Sequence, residues 1–312
     1  MKNFKNIILT GRAGSGKSEL THYLKSLSKE ERIAKFHIGN FVELDDHPML
    51  WNLGVTEDIW EQLGRKRQFT QNVGYAYNNA VPYDFFFKFL DLKLNRTIVE
   101  KYLSNPEFYD DNTLFIEFAR GSSTGFRQTL NSLDVDILKE TAIFFINNSY
   151  EESVRRNNAR YEESKKNSIL GHKVPDDFME NYYKINDWAE ITEGKEYGYI
   201  NINGVQVPFI TVWNEPETND LRVTEERFAE PLKRLWGLNV YRNKIEEPKD
   251  IIKHFENMII IGRPGSGKSE IVDLIKRAPL QKRMAYYYIG DFIEVYDFIW
   301  LNEKLKEDDF WE

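Results

Sequence analysis

The sequence predicts an α/β fold with three layers, a parallel sheet covered by helices on both faces. Three observations predict it. Short apolar runs of strand length alternate with segments of helical spacing. A glycine-rich turn joins the first such run to the first such helix. The same strand–turn–helix pattern returns near the C-terminus. A chain of 312 residues that is 41% hydrophobic can bury the core this requires. Its 14% aromatic content argues against disorder.

Strands are expected at 7–9, 34–38, 113–118, 142–146 and 207–212. Helices are expected at 19–27, 56–68, 83–93, after Tyr150, at 176–188 and at 224–236. Asn203-Gly204 separates two β-prone runs, 199–202 and 205–208, which is a hairpin signal beside the last strand.

The turn after the first strand reads Gly11-Arg12-Ala13-Gly14-Ser15-Gly16-Lys17-Ser18. This is G-x-x-x-x-G-K-S in its required context, after a strand and before a helix. Gly11, Gly14, Ser15 and Gly16 would lend backbone N–H groups to a polyphosphate at a helix N-terminus. Lys17 would meet the β- and γ-phosphates, and the Ser18 hydroxyl would ligate Mg²⁺. The implied ligands are ATP (or GTP) and Mg²⁺.

Residues 259–269 repeat the motif, with Gly262, Gly265, Ser266, Gly267, Lys268 and Ser269 in the corresponding places. The correspondence runs without a gap from Phe4/Phe255 to Glu61/Glu312, and 23 of the 58 paired positions are identical. Residues 1–237 therefore read as a complete domain, 238–254 as a polar linker, and 255–312 as a partial second module. A fragment of that size struggles to build its own core. Either the chain is a piece of a longer tandem protein, or the module packs on the first domain or on a partner, including by self-association.

At this point the chain resembles the P-loop kinases of nucleosides and nucleotides, such as adenylate kinase and the deoxynucleoside kinases. The phosphate loop carries the resemblance, together with Phe36-His37-Ile38-Gly39-Asn40, Leu114-Phe115-Ile116-Glu117-Phe118-Ala119-Arg120, and Tyr150 to Arg160. It covers about residues 4–236. It implies a kinase with an acceptor-binding insert at about 41–110 and a helical lid at about 156–188. It departs from those families in having Glu-Phe-Ala-Arg at the third strand and Asn40 where an aspartate is expected.

The resemblance and the residue types together nominate a site. Glu117, at the end of an apolar run, would serve the Mg²⁺ shell, and Arg120 would hold acceptor or γ-phosphate. Arg156 and Arg160 share a helical face and would stabilise the moving phosphoryl group. Glu43, in the cluster Glu43, Asp45 and Asp46, is the candidate base for an alcohol acceptor. Gln128 is a candidate contact to an acceptor base edge. Each also has a plain structural reading: strand-end acid, loop arginine, solvated basic face, acidic turn.

The expected activity is transfer of a phosphoryl group to a nucleoside, nucleotide or similar small molecule. The rivals are a nucleotide-dependent regulatory or assembly ATPase that uses the second module for interaction, and a kinase of nucleic-acid ends. A net charge of −8 argues against general nucleic-acid binding. The absence of cysteine excludes disulfides and fits a cytoplasmic setting. No run is long enough to predict a membrane span.

Overall fold

The computed structural model describes residues 2–70, 83–167, 174–242, 255, 258–261, 263, 265–278, 283, 287, 289 and 292–295, with backbone alone at 51, 83–86 and 160–167. The chain forms two units, Met1–Lys244 and Ile245–Glu312.

The first unit is built on a six-stranded sheet of order β2-β3-β1-β4-β6-β5. Its strands are β1 (Asn6–Gly11), β2 (Asn40–Asp45), β3 (Asn112–Ala119), β4 (Thr141–Asn147), β5 (Tyr197–Ile202) and β6 (Val205–Trp213). All neighbouring pairs are parallel except β5–β6, the hairpin turned by Asn203-Gly204. The helices are α1 (Lys17–Ser26), α2 (Lys29–Phe36), α3 (His47–Gln62), α4 (Tyr83–Ile98), α5 (Phe108–Asp111), α6 (Gly125–Asn131), α7 (Val135–Lys139), α8 (Tyr150–Asn167), α9 (Asp176–Phe178), α10 (Trp188–Ile191) and α11 (Leu221–Arg242). Both α4 and α9 run on into a π-helical turn, at Val99–Leu103 and Met179–Tyr183.

Strand alternation divides the core between the two faces of the sheet. Ile8, Ile116, Phe118, Ile143 and Phe145 pack with α4, α6, α7 and Trp188. Ile7, Leu9, Phe115, Phe144 and Ile146 pack with Leu20, Tyr23, Leu24, Phe36, Phe228 and Leu232 from α1, α2 and α11. The chain thus forms the three layers its pattern predicts. No helix among the described residues is long and apolar enough to cross a membrane.

One element corrects the sequence expectation. Residues 34–36 end α2 and are not in a strand. Ser28 and Glu31 form a reciprocal capping box that starts the helix at Lys29, and His37 ends it at a left-handed φ of 56°. The strand follows at Asn40–Asp45. Gly39 and Asn40 therefore lie at its amino end, with Asn40 opposite Asn112, away from the phosphate loop. The carboxyl end, where ligands bind in parallel sheets, carries Asp45 and Asp46. The helix expected at 56–68 is α3, which begins earlier, at His47, with Pro48 in its first turn.

Candidate active site

β1 delivers the chain directly into the phosphate loop. Gly16 is the N-cap of α1 at φ 93°, a conformation that favours glycine. It also leaves no room for a side chain. A Cβ there would lie 2.1 Å from Asn214 Nδ2 and 2.7 Å from Arg156 Nη1. The Ser15 amide donates to the Arg12 carbonyl at 3.1 Å, which closes the loop. The buried Ser15 hydroxyl has no hydrogen-bond partner among the described residues, as fits a loop shaped around an absent polar ligand.

Lys17 is 8% exposed and its Nζ lies 3.8 Å from Glu117 Oε1. Parallel pairing of β2 with β3 sets Asp45 in register with Glu117, and the Asp46 amide donates to the Glu117 carbonyl at 3.2 Å. Burial pushes the Glu117 carboxyl above its ordinary value, Lys17 opposes the shift, and Asp45, Glu43 and Asp46 add to it. Burial likewise raises Asp45, with Asp46 adding to it and the His47 amide and Lys17 opposing. The arrangement is one ammonium among crowded carboxylates at the carboxyl edge of the sheet. Glu43 is exposed and pairs with Lys25 at 2.6 Å.

No group of three or more His, Asp or Glu side chains that could hold a metal occurs among the described residues. The exposed Ser18 and the carboxylate of Glu117 are nonetheless oxygen donors suited to Mg²⁺, which keeps several waters and takes its other ligands from substrate phosphates.

Arg120 is 1% exposed and does not face a vacant acceptor site. Its Nη1 donates to Asp46 Oδ2 and its Nη2 to Asp91 Oδ1, both at 2.6 Å, and its Nε donates to Thr129 Oγ1 at 2.8 Å. The rings of Phe87 and Phe118 lie about its guanidinium at 4.9 and 5.1 Å. Burial opposes its charge, but Asp46 and Asp91 more than offset that and hold it charged. Gln128 is partly exposed on α6, directly before Thr129 of this cluster.

Arg156 is 0% exposed and braces the phosphate loop from behind. It donates to Ser15 O at 3.3 Å, Glu19 Oε1 at 2.9 Å, Glu152 Oε1 at 2.7 Å and Asn214 O at 2.6 Å. Asn214, at the carboxyl end of β6, also donates through Nδ2 to Ser15 O at 2.9 Å and accepts from Arg227. Arg12 ties the loop to the segment after α9, donating to Tyr183 O at 2.7 Å and Asn148 O at 2.8 Å. The side chain of Arg160 lies outside the described residues, as does Gly262.

The second unit repeats the loop in detail. Gly265 and Gly267 have φ of 76° and 83°, against 78° and 93° at Gly14 and Gly16. The Ser266 amide donates to Arg263 O at 3.1 Å, and Gly267 caps α12 (Lys268–Arg277), whose first residues are Lys268 and Ser269. Lys276 pairs with Glu294 at 2.5 Å, as Lys25 does with Glu43.

Asp45 was read only as part of the Glu43–Asp45–Asp46 cluster, and two further candidates, Asp91 and Asn214, escape a reading by motif. Asp91 had a signal. It shares a helical stripe with Phe87, Leu90, Leu94 and Ile98, and an acid in such a stripe requires a buried partner. Asn214 had another, as a polar residue directly after an apolar parallel strand.

No family model matches the chain, and no curated protein matches it in sequence. Solved structures to which the chain shows similarity include a sugar kinase from Janibacter sp. HTCC2649 (12% identity, 77% of this chain and 98% of that one, TM-score 0.33). Another is shikimate kinase from Acinetobacter baumannii in complex with shikimate (13% identity, 78% and 97%, TM-score 0.34). A third comes from the PezAT chromosomal toxin–antitoxin system of Streptococcus pneumoniae (19% identity, 78% and 87%, TM-score 0.32).

Proposed function

We propose that the unit Met1–Lys244 is a phosphotransferase that moves the γ-phosphoryl group of ATP, or GTP, to a small molecule. One observation carries this reading: Lys17, at the end of a phosphate loop, lies beside Glu117 with Asp45 in register next to it. A phosphate cradle, a cation and a paired carboxylate at one sheet edge are the parts that phosphoryl transfer needs.

The loop amides and Lys17 would hold the β- and γ-phosphates, with Lys17 exchanging Glu117 for phosphate oxygen. Mg²⁺, held through Ser18 and a Glu117-bound water, would offset charge on those oxygens. Asp45, more enclosed than Glu43, would accept the proton of the attacking group. Arg156 would keep the loop in shape through Ser15 and Asn214. Arg160, one turn along α8, is the arginine proposed to reach the transferred group, and Arg120 would act through Asp46. Residues 156–188 are proposed as the lid and 41–110 as the acceptor insert.

The test follows ADP formation from ATP and Mg²⁺ against a panel of acceptors. Turnover should rise with an acceptor and vanish in Lys17→Ala. ADP release that no acceptor stimulates would favour an assembly or regulatory ATPase, a reading whose support is the repeated loop at Gly265–Lys268. Loss of turnover in Lys268→Ala but not in Lys17→Ala would assign catalysis to the second loop.

A further inference from the structure

The phosphate loop is gripped from outside by residues that meet at one carboxylate. Glu19 lies in the first turn of α1, and its side chain is only 9% exposed. Three other elements supply its partners. Arg156 of α8 donates to Glu19 Oε1 at 2.9 Å, and Asn214, at the end of β6, donates to the same oxygen at 3.1 Å. Arg227 of α11 lies 3.8 Å from Oε2 and donates to Asn214 Oδ1. Burial pushes the Glu19 carboxyl up, and Arg156, Asn214, the Thr218 backbone and Arg227 oppose that shift. The two donors that Glu19 holds converge on a further atom, the Ser15 carbonyl oxygen. Arg156 Nη1 reaches it at 3.3 Å and Asn214 Nδ2 at 2.9 Å. These are the same nitrogens that bond Glu19 Oε1, so each one bridges the carboxylate and the loop backbone. In a planar trans peptide, the C=O and the following N–H point in opposite directions. Holding Ser15 O against Arg156 and Asn214 therefore turns the Gly16 N–H away from them. Gly16 caps α1 directly before Lys17, and oriented amides at such a helix start are what a polyphosphate binds.

We propose that Glu19 is a positioning residue for phosphate binding at the first loop: it holds Arg156 and Asn214 on the Ser15 carbonyl, and so aims the Gly16 amide at the nucleotide. This rests on the nucleotide-binding part of the reading above and does not depend on transfer. Glu19 itself touches no phosphate. It acts through two side chains and one peptide plane, so that the loop meets its ligand already shaped and gives up less freedom on binding. The close fit explains why Gly16 has no room for a side chain. A Cβ there would lie 2.5 Å from Glu19 Oε1 as well as against Asn214 and Arg156.

The experiment measures Mg²⁺-ATP binding by calorimetry on the full chain, with Lys268→Ala in place to silence the second loop, and thermal unfolding of each variant beside it. Glu19→Leu keeps most of the side-chain volume and removes the acceptor. Its dissociation constant should rise at least about tenfold, as expected when hydrogen bonds to a charged group are lost. Glu19→Gln keeps an oxygen acceptor at the same reach and should bind within about threefold of the parent. A role in stability alone would lower the melting temperature and leave the dissociation constant of the folded chain where it was. If Glu19→Leu does not fold, Asn214→Ala decides. It removes one of the two donors on Ser15 O and should weaken binding at least about threefold. An unchanged dissociation constant in folded Glu19→Leu, or in Asn214→Ala where the former does not fold, overturns the proposal while the first loop stands as a nucleotide site. Glu19→Gln binding as weakly as Glu19→Leu overturns it too, because the loss then follows the charge and not the acceptor. A Lys268→Ala chain with Glu19 intact that binds no Mg²⁺-ATP overturns both the proposal and the reading on which it rests.

Discussion

Replacing Arg120 by methionine tests whether the buried charge cluster organises the acceptor side. Methionine retains most of the aliphatic length that packs near Phe87 and Phe118 but removes every donor. The lost contacts are the 2.6 Å bonds to Asp46 and Asp91 and the 2.8 Å bond to Thr129. Asp91, fully buried, would be left with Thr129 as its remaining donor. Removing one partner of a buried ion pair costs about 3–5 kcal/mol, because the other charge stays uncompensated. At roughly 2–4 °C per kcal/mol for a unit of this size, the melting temperature should fall by about 6–20 °C. The loss should depend on pH in a definite direction. Burial already raises the Asp91 carboxyl and Arg120 opposes that shift, so removing Arg120 raises it further. A carboxyl raised in the folded state favours folding below its unfolded pKa, and that support is lost as pH climbs through the folded value. The deficit should therefore be small near pH 4 and full at pH 7. Adding Asp91→Asn should recover a large part of it, a coupling readable in a double-mutant cycle. Thermal unfolding of the full chain, followed by tryptophan fluorescence at pH 4 and pH 7, measures all of this. A single variant within about 2 °C of wild type at pH 7, or a double variant no better than the single, would refute the reasoning.

Asp45→Asn should slow phosphoryl transfer by about 10²–10⁴-fold, the usual contribution of a general base. It should also stabilise the fold by up to ~1 kcal/mol at pH 7, since the Asp45 carboxyl is raised by burial and crowded by Asp46. That gain should fade below about pH 4, where both states of the wild type bind the proton. Gly16→Ala should abolish nucleotide binding at the first loop, measured calorimetrically in a Lys268→Ala background, because its Cβ would fall 2.1 Å from Asn214 Nδ2 at a φ of 93°. Ser28→Ala should cost ~1 kcal/mol in urea unfolding through loss of the capping box, with kcat unchanged.

The parallel sheet was legible because its strands are buried on both faces and read as apolar runs with little else in them. Residues 7–9, 113–118 and 142–146 all lie within observed strands. β2 was not legible, for a physical reason. It lies at the edge of the sheet, its residues are half exposed, and Asn40-Phe41-Val42-Glu43-Leu44-Asp45 carries three polar side chains. The preceding segment, Ile33-Ala34-Lys35-Phe36, offered more apolar character, although Ser28 and Glu31 already marked a helix start. That displacement moved attention from Asp45 to Glu43, two positions away on the same face of the strand. The phosphate loop could be read to the residue, since its conformation depends on glycines at fixed spacing. The surroundings of Arg120 and Arg156 could not. Both arginines were identifiable, but whether a guanidinium meets a ligand or a buried carboxylate depends on Asp46, Asp91, Glu19 and Asn214. Those partners come from distant parts of the chain.

The two copies of the loop share a phosphate cradle and differ in its surroundings. They share the glycine conformations, the lysine and serine at the helix start, and a Lys–Glu pair, Lys25–Glu43 in one and Lys276–Glu294 in the other. They differ in what surrounds the cradle. In the first unit, Gly14 is closely approached by Ser153, and Gly16 by Asn214, Glu19 and Arg156. Among the described residues, nothing lies within 4 Å of a Cβ built at Gly265, and one built at Gly267 meets Glu270 of its own helix. The position equivalent to Asp45 is Tyr296. A cradle alone supplies oriented amides and one ammonium, which suffices to hold a polyphosphate. Transfer to an alcohol would also require a carboxylate for the released proton and rigid walls that fix the loop and exclude water. Those parts occur only around the first loop among the described residues. Sequence identity between the copies is greatest in the cradle they share, and they diverge at the proposed base, Asp45, whose counterpart is Tyr296.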